Sequence, residues 1–403
     1  MAISLPALRS RNYRYFLAGQ GIGLIGTWCQ RIAMIWLVYR TTGSPLLLGL
    51  AAFAAEIPFL FIAPFGGLIA DRVNRRRALM AMQAISSLQA FVLAGLAAAG
   101  LASYPVILLL AAVLGTCQAI ESPLRQSIYP DLITNPHDLP NAIALMAFMN
   151  NSGRLIGPTV AGFLIGVVGE IACFVVNGCG YLVVLAVLWR MRMKPATAPA
   201  AGGRVLAELR AGLVYAWATP AIRASLLLLA SVSFCGLPYL VLMPVFTREV
   251  LHSDAVTLGY LLSMAGVGAV FGLVGLATRV KVAGIPRLLS ASAASTGVAL
   301  LLLSGAASFW LAAVAMACIG FGIVVTATAS NILLQSISDD DKRGRVLGFF
   351  AMMFFGIAPI GNFCAGSLTE AIGSRPALGV LGAASVLCTL AFERHRRRSA
   401  SCA

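Results

Sequence analysis

Three ionisable residues stand in stretches that otherwise hold mostly apolar side chains: Arg31 in CQRIAMIWLVY, Glu56 in GLAAFAAEIPFLFIAPF and Arg154 in GRLIGPTVAGFLIGV. A carboxylate and a guanidinium in such surroundings can pair, and a carboxyl group there can also take up and release a proton. Burial disfavours its ionised form, whereas an adjacent guanidinium favours it. A molecule that competes for the arginine would therefore drive the carboxylate to take up a proton. This makes Glu56 the candidate proton carrier and Arg31 its partner; the alternative is a static pair that only ties two helices together. Together the three give two positive charges and one negative, so if Arg154 faces a cavity the site favours an anionic or acidic ligand.

The elements that carry these charges follow from composition. Hydrophobic residues make up 60% of the 403 and charged residues 11%, whereas a soluble chain carries roughly 25% charged residues. Long runs such as 105–120 and 224–244 contain no Asp, Glu, Lys or Arg. A membrane core of about 30 Å is crossed by about 20 such residues as a helix. Apolar segments fall near 15–39, 46–70, 78–100, 104–124, 141–167 and 171–189, then near 224–247, 256–278, 286–304, 307–335, 345–370 and 375–392. The last two are separated least cleanly, with Ser374, Arg375 and Pro376 as the expected turn. At the helical rise, Arg31 and Glu56 lie about 12 and about 15 Å inside the same ends of spans 1 and 2, and Arg154 about 20 Å from the opposite end of span 5. Each such charge costs at least about 2.5–3.5 kcal/mol on insertion scales and so needs a reason to be there. The spans of the second half hold no matching charges, only polar Asn331, Gln335 and Asn362. Trp28, Trp36, Phe148 and Tyr239 are candidates to line a bulky organic pocket, or simply to pack or to anchor at the lipid interface.

Lys and Arg crowd before span 1, after the even-numbered spans and in the tail, while the opposite loops hold Arg40, Arg248 and Arg375. The positive-inside rule then places both termini in the cytoplasm. The net charge of +15 is accounted for by basic flanks that meet anionic inner-leaflet lipids, with no need for nucleic acid. The opening MAISLPALRSRNYRYF runs into an apolar stretch too long for the core of a cleavable signal, so none is expected. The nine cysteines lack metal spacing and His partners, and all but Cys402 lie in apolar runs as small hydrophobes. No metal and no cofactor are expected. The expected divisions are a first half at 1–190, a linker at 191–222, a second half at 223–392 and a basic tail at 393–403. In the linker, Leu206, Leu209, Leu213 and Trp217 recur at helical spacing, which predicts an amphipathic helix on the membrane surface. Duplication relates the halves: Gln126-Ser127-Ile128 recurs as Gln335-Ser336-Ile337, and Gly157, Gly162 and Gly169 recur at one constant offset as Gly361, Gly366 and Gly373.

After span 2 comes Gly67-Leu-Ile-Ala-Asp71-Arg72-Val-Asn74-Arg75-Arg76-Arg77. It resembles motif A of the major facilitator superfamily, with Asn74 where a glycine is usual. Span 5 carries Gly153-Arg154-Leu-Ile-Gly157-Pro158-Thr-Val-Ala161-Gly162, similar to motif C of that superfamily's antiporter-type exporters, with Ala161 in place of a glycine. Residues 10–190 resemble the branch that holds enterobactin-exporter-like and macrolide-efflux-like proteins; the second half matches more loosely. The resemblance implies an all-α membrane protein of twelve transmembrane helices in two pseudo-symmetric six-helix halves. It implies that the motif A loop latches the cytoplasmic side, with Arg345 as the partner of Asp71 and Glu121 pairing with Arg72 or Arg76. In the second half Gly275-Leu-Ala-Thr-Arg279 lacks the aspartate, so one such latch is expected.

The resulting expectation is a monomeric secondary-active exporter of the bacterial inner membrane. It would exchange a bulky organic molecule (a siderophore, an antibiotic or a similar compound) for protons by alternating access. A proton-coupled uptake symporter has the same fold, and a non-transporting receptor or scaffold would not need the buried charges. An enzyme is not expected: HExxH, GxxxxGK[ST] and metal-spaced histidines are missing from the sequence, which also leaves an ion gradient as the energy source.

Overall fold

The computed structural model describes residues 5–62, 73–191, 213–279, 284–339 and 342–401. Among them every regular element is helical, and twelve long helices follow one another: α1 (Arg11–Thr42), α2 (Pro45–Ile62), α3 (Arg75–Ala98), α4 (Tyr104–Ser127), α5 (Leu139–Val167) and α6 (Glu170–Arg190). The second set is α7 (Pro220–Glu249), α8 (Ala255–Arg279), α9 (Ile285–Gly305), α10 (Phe309–Ile337), α11 (Arg343–Ile372) and α12 (Ser374–Ser401). Eleven of these are long and apolar enough to cross a membrane. The exception is α5, where Asn150, Asn151 and Arg154 fall within three turns.

The packing repeats between the halves. In the first, α1 lies against α5 and α6, α2 against α4, and α3 against α4 and α6. In the second, α8 lies against α10, and α9 against α10 and α12. Local details repeat as well. Ser127 and Ser336 each return their hydroxyl to the carbonyl three residues back, at 2.8 Å. Gly169 and Gly373, at φ of 93° and 87°, make the turns into α6 and α12 in a conformation that side chains disfavour. The break between α11 and α12 is therefore at Gly373, one residue before the turn expected from Ser374 to Pro376.

Two helices are interrupted. In α7, Pro238 cannot donate to the carbonyl of Phe234, and that oxygen lies against Gly361 of α11. In α11, residues Met352–Gly356 form a π-helical turn. Such turns misalign backbone carbonyls, and the Ser233 hydroxyl of α7 donates to the Phe354 oxygen at 2.6 Å.

The halves meet along α2 against α11 and α5 against α8. At the end carrying the α1–α2 turn, Tyr39 donates to Glu249 at 2.6 Å. There Glu370 accepts from the Ser44 hydroxyl at 2.8 Å and from Leu46 N at 3.1 Å. A carboxylate from one half thus caps the N-terminus of α2 in the other, where the helix dipole favours it. Arg40 pairs with Glu170 across the α1–α6 contact. The core of the first half holds a polar chain: Asn177 donates to Gln30 at 2.6 Å, and Gln30 donates to Gln89 at 2.9 Å.

In the linker, Leu206 and Leu209 lie outside the described residues. From Leu213 the chain is helical, with Leu213, Val214 and Trp217 exposed and Ala216 buried against the second half.

Candidate functional site

Trp28 and Arg31 stand three residues apart on α1 and so share a face, the guanidinium 5.8 Å from the centre of the indole ring. Arg31 donates to Oε1 of Glu56. Oε2 of the same carboxylate accepts from the amide nitrogen of Asn362 on α11, at 2.9 Å. Each half therefore holds one oxygen of Glu56. The arginine side chain remains 42% exposed and that of the glutamate 25%, so the pair is not sealed between the packed helices.

Arg154 of α5 is half-buried and pairs with no carboxylate among the described residues. Its electrostatic neighbours are Arg31 and Tyr239 of α7. Two cations of the first half and a phenol of the second thus converge. Glu56 compensates one of the two cations, Arg31.

The glycines of α5 explain how these groups are positioned. A Cβ at Gly153 would lie 2.6 Å from Leu24 Cγ, and one at Gly157 would lie 2.7 Å from Trp28 Cγ. Both glycines therefore seat α1, and Gly157 holds the indole on which Arg31 rests. Other positions face α8. A Cβ at Gly162 would stand 2.7 Å from the Ala255 oxygen, one at Gly259 would stand 2.6 Å from the Pro158 oxygen, and one at Gly266 would stand 2.8 Å from the Arg154 oxygen. Thr159 and Ser263 share a hydrogen bond of 2.6 Å across this seam. Close backbone approach through small residues is what membrane interiors permit. Of the aromatic candidates, Trp28 lies beside Arg31 and Tyr239 near Arg154, Trp36 packs against the core, and Phe148 is 72% exposed.

Of the motif after α2, Gly67, Asp71 and Arg72 lie outside the described residues, and with them the expected contact of Asp71 with Arg345. Its visible part organises the first half. Asn74, at the glycine position, caps α3 by accepting from Arg77 N at 3.0 Å. Arg75 donates to the Ser127 oxygen at 3.2 Å and lies 3.9 Å from Asp131. Arg76 donates to the oxygens of Leu188 and Trp189 at 2.8 and 2.5 Å, satisfying the open carbonyls at the end of α6. Of the two expected partners of Glu121, Arg72 lies outside the described residues and Arg76 is corrected: Glu121 is buried and pairs with Arg125, one turn on, at 3.2 Å. Arg76 is held at α6 instead. The hydrogen bond of Asn362 to Glu56 is the contact at this pair that the sequence did not lead us to expect. Its signal was alignment with Pro158 in the internal repeat, a polar residue where the first copy has an imino acid. No group of three or more His, Cys, Asp or Glu able to hold a metal occurs among the described residues.

Two pseudo-symmetric bundles closing on a shared polar site define a transporter of the major facilitator type, a multi-pass membrane protein and not an enzyme. Residues 2–402 match the transmembrane secretion effector family, and the chain belongs to that family of the major facilitator superfamily. It is similar to the staphyloferrin A transporter of Staphylococcus aureus, at 25% identity over 94% of this chain and 95% of that one. It is also similar to the multidrug efflux pump Tap of Mycolicibacterium fortuitum, at 25% identity over 88% of this chain and 87% of the relative. The fold is shared with the crystal structure of the nucleoside transporter NupG, with a TM-score of 0.77 at 12% identity over 96% of this chain and 99% of that one.

Proposed function

We propose that the chain exports a bulky organic anion across the bacterial plasma membrane in exchange for protons. The observation that carries this reading is Arg154, a half-buried cation without a carboxylate partner among the described residues, set beside the Arg31–Glu56 pair. Exchange requires that substrate and proton occupy the site in turn: the anion binds at Arg154 beside the ionised Arg31–Glu56 pair, and only after it leaves on the outside does Glu56 take up a proton and release Arg31. Entry of that proton from outside and its release inside return the site to its starting charge. Trp28 and Tyr239 supply apolar faces for the rest of the molecule.

Export rather than uptake is supported by the relatives, one of which is an efflux pump, and by the glycine-proline pattern of α5. The distribution of basic residues puts the α1–α2 end outside. The cross-half contacts at that end then make this the state that loads from the cytoplasm. The Asp71–Arg345 latch would close the cytoplasmic side in the opposite state, with the basic loops and tail on inner-leaflet lipids and the protein working as a monomer.

Inside-out membrane vesicles with an internal pH-sensitive dye and a panel of anionic, neutral and cationic compounds test this directly. In acid-loaded vesicles, anionic members of the panel should enter and speed the loss of internal protons. Loss of protons with cationic members alone would refute the substrate class. Uptake that occurs only when the gradient favours symport would refute the exchange.

A further inference from the structure

We propose that Asn362 is the positioning residue through which the second half senses the proton on Glu56, so that closure of α2 against α11 depends on that proton. The inference rests on the reading of Glu56 as the proton carrier.

One residue makes two contacts here. The Asn362 side chain donates to Glu56 at 2.9 Å. Its backbone oxygen lies where a Cβ on Gly49 would stand 2.7 Å away, in the close α2–α11 seam. The internal repeat separates the two roles. Pro158 occupies the equivalent place on α5, and its oxygen likewise stands 2.6 Å from a Cβ built on Gly259. The backbone contact is thus common to both seams, while the side-chain bond to a carboxylate exists at Asn362 alone of the two. Asn362 is 4% exposed and its Oδ1 is buried without a partner, so water does not replace a lost bond there at no cost.

An ionised Glu56 accepts a charge-assisted bond from each half, and such bonds are about twice as strong as neutral ones. Protonation ends the ion pair with Arg31 and leaves a neutral contact to Asn362, which loosens the seam. Other groups around α2 set the background. Arg31 comes from α1, with Arg154 and Tyr239 acting on it from α5 and α7. From α4, Tyr104 donates to the Leu47 oxygen at 3.0 Å, and from α11, Glu370 caps the head of α2.

The test uses nitroxide labels at Leu101 and Ala307, exposed positions in equivalent turns of the two halves, in nanodiscs, with reactive native cysteines replaced. Pulsed dipolar spectroscopy then reads the closed-to-open ratio as a function of pH. In the otherwise unchanged protein the ratio should fall from alkaline to acidic pH by about tenfold or more, the size that one hydrogen bond to a charged group carries. Glu56→Gln should abolish this dependence and Asn362→Leu should cut it to about twofold or less. Asn362→Asp replaces the donor by an acceptor; two carboxylates repel while ionised and share a proton in acid, so closure should now be favoured at low pH. An unchanged profile in both Asn362 variants, with Glu56→Gln flat, overturns the role of Asn362 and leaves that of Glu56 standing. An unchanged profile in Glu56→Gln overturns both.

Discussion

Gly49 of α2 and Gly366 of α11 meet backbone to backbone: a Cβ on Gly49 would stand 3.0 Å from Gly366 Cα, and one on Gly366 would stand 2.9 Å from Gly49 Cα. The second seam has the same construction, with Gly162 and Gly259 each placing a Cβ 2.9 Å from the other's Cα. The end of the molecule that carries the α1–α2 turn is therefore shut by two glycine pairs related by the internal repeat.

Gly366→Leu and Gly162→Leu should each force a seam apart. Overpacking costs about 1–3 kcal/mol, enough to shift the population away from this closed state by about tenfold. A cysteine at Thr159, in a background lacking reactive native cysteines, should then react faster with an impermeant maleimide added outside. Unchanged reactivity in both variants would mean that the seams do not gate access.

Arg154→Gln should raise the KM for an anionic substrate by about tenfold, as expected for loss of a hydrogen-bonded charge, while the pH dependence of transport persists. Arg154→Lys should lie between, since it keeps the charge but not the planar fork. Initial export rates over a range of substrate concentrations give both values. An equal loss of kcat with KM unchanged would place Arg154 outside the binding step.

Gln30→Leu removes the centre of the chain formed with Gln89 and Asn177 and leaves both amides buried without that partner. The cost should be about 1–3 kcal/mol, seen as a lower unfolding temperature of the purified protein in detergent. Ser304→Ala, on an exposed hydroxyl bonded within its own helix turn, should leave that temperature unchanged.

The helices were legible because lipid demands long apolar segments with internal backbone bonding, and that demand is written into composition. That Arg31 and Glu56 stand at one height and can pair was legible for a similar reason: helical rise turns residue number into height. Direction around the helix axis is a tertiary property and was not. Arg76 could have paired with Glu121 or closed the end of α6, and only the packing of α3 on α6 shows that it does the second. Asn362 was visible as a polar residue in a span, but only the approach of α11 to α2 brings it to the carboxylate. The π-helical turn at Met352–Gly356 has no pattern in a run of Met and Phe, because it depends on Ser233 of another helix to satisfy the Phe354 oxygen. The second half, which carries no charge to match Arg31, Glu56 and Arg154 in its spans, nonetheless holds one oxygen of Glu56.

Glu56→Gln compared in two assays on the same inside-out vesicles tests whether Glu56 carries the proton. The amide keeps the shape of the carboxyl but cannot carry a proton at this site. The variant should still exchange labelled for unlabelled substrate across the membrane without a gradient, and it should fail to accumulate substrate when a proton gradient is imposed. Gradient-driven accumulation equal to that of the unchanged protein would contradict Glu56 as the proton carrier.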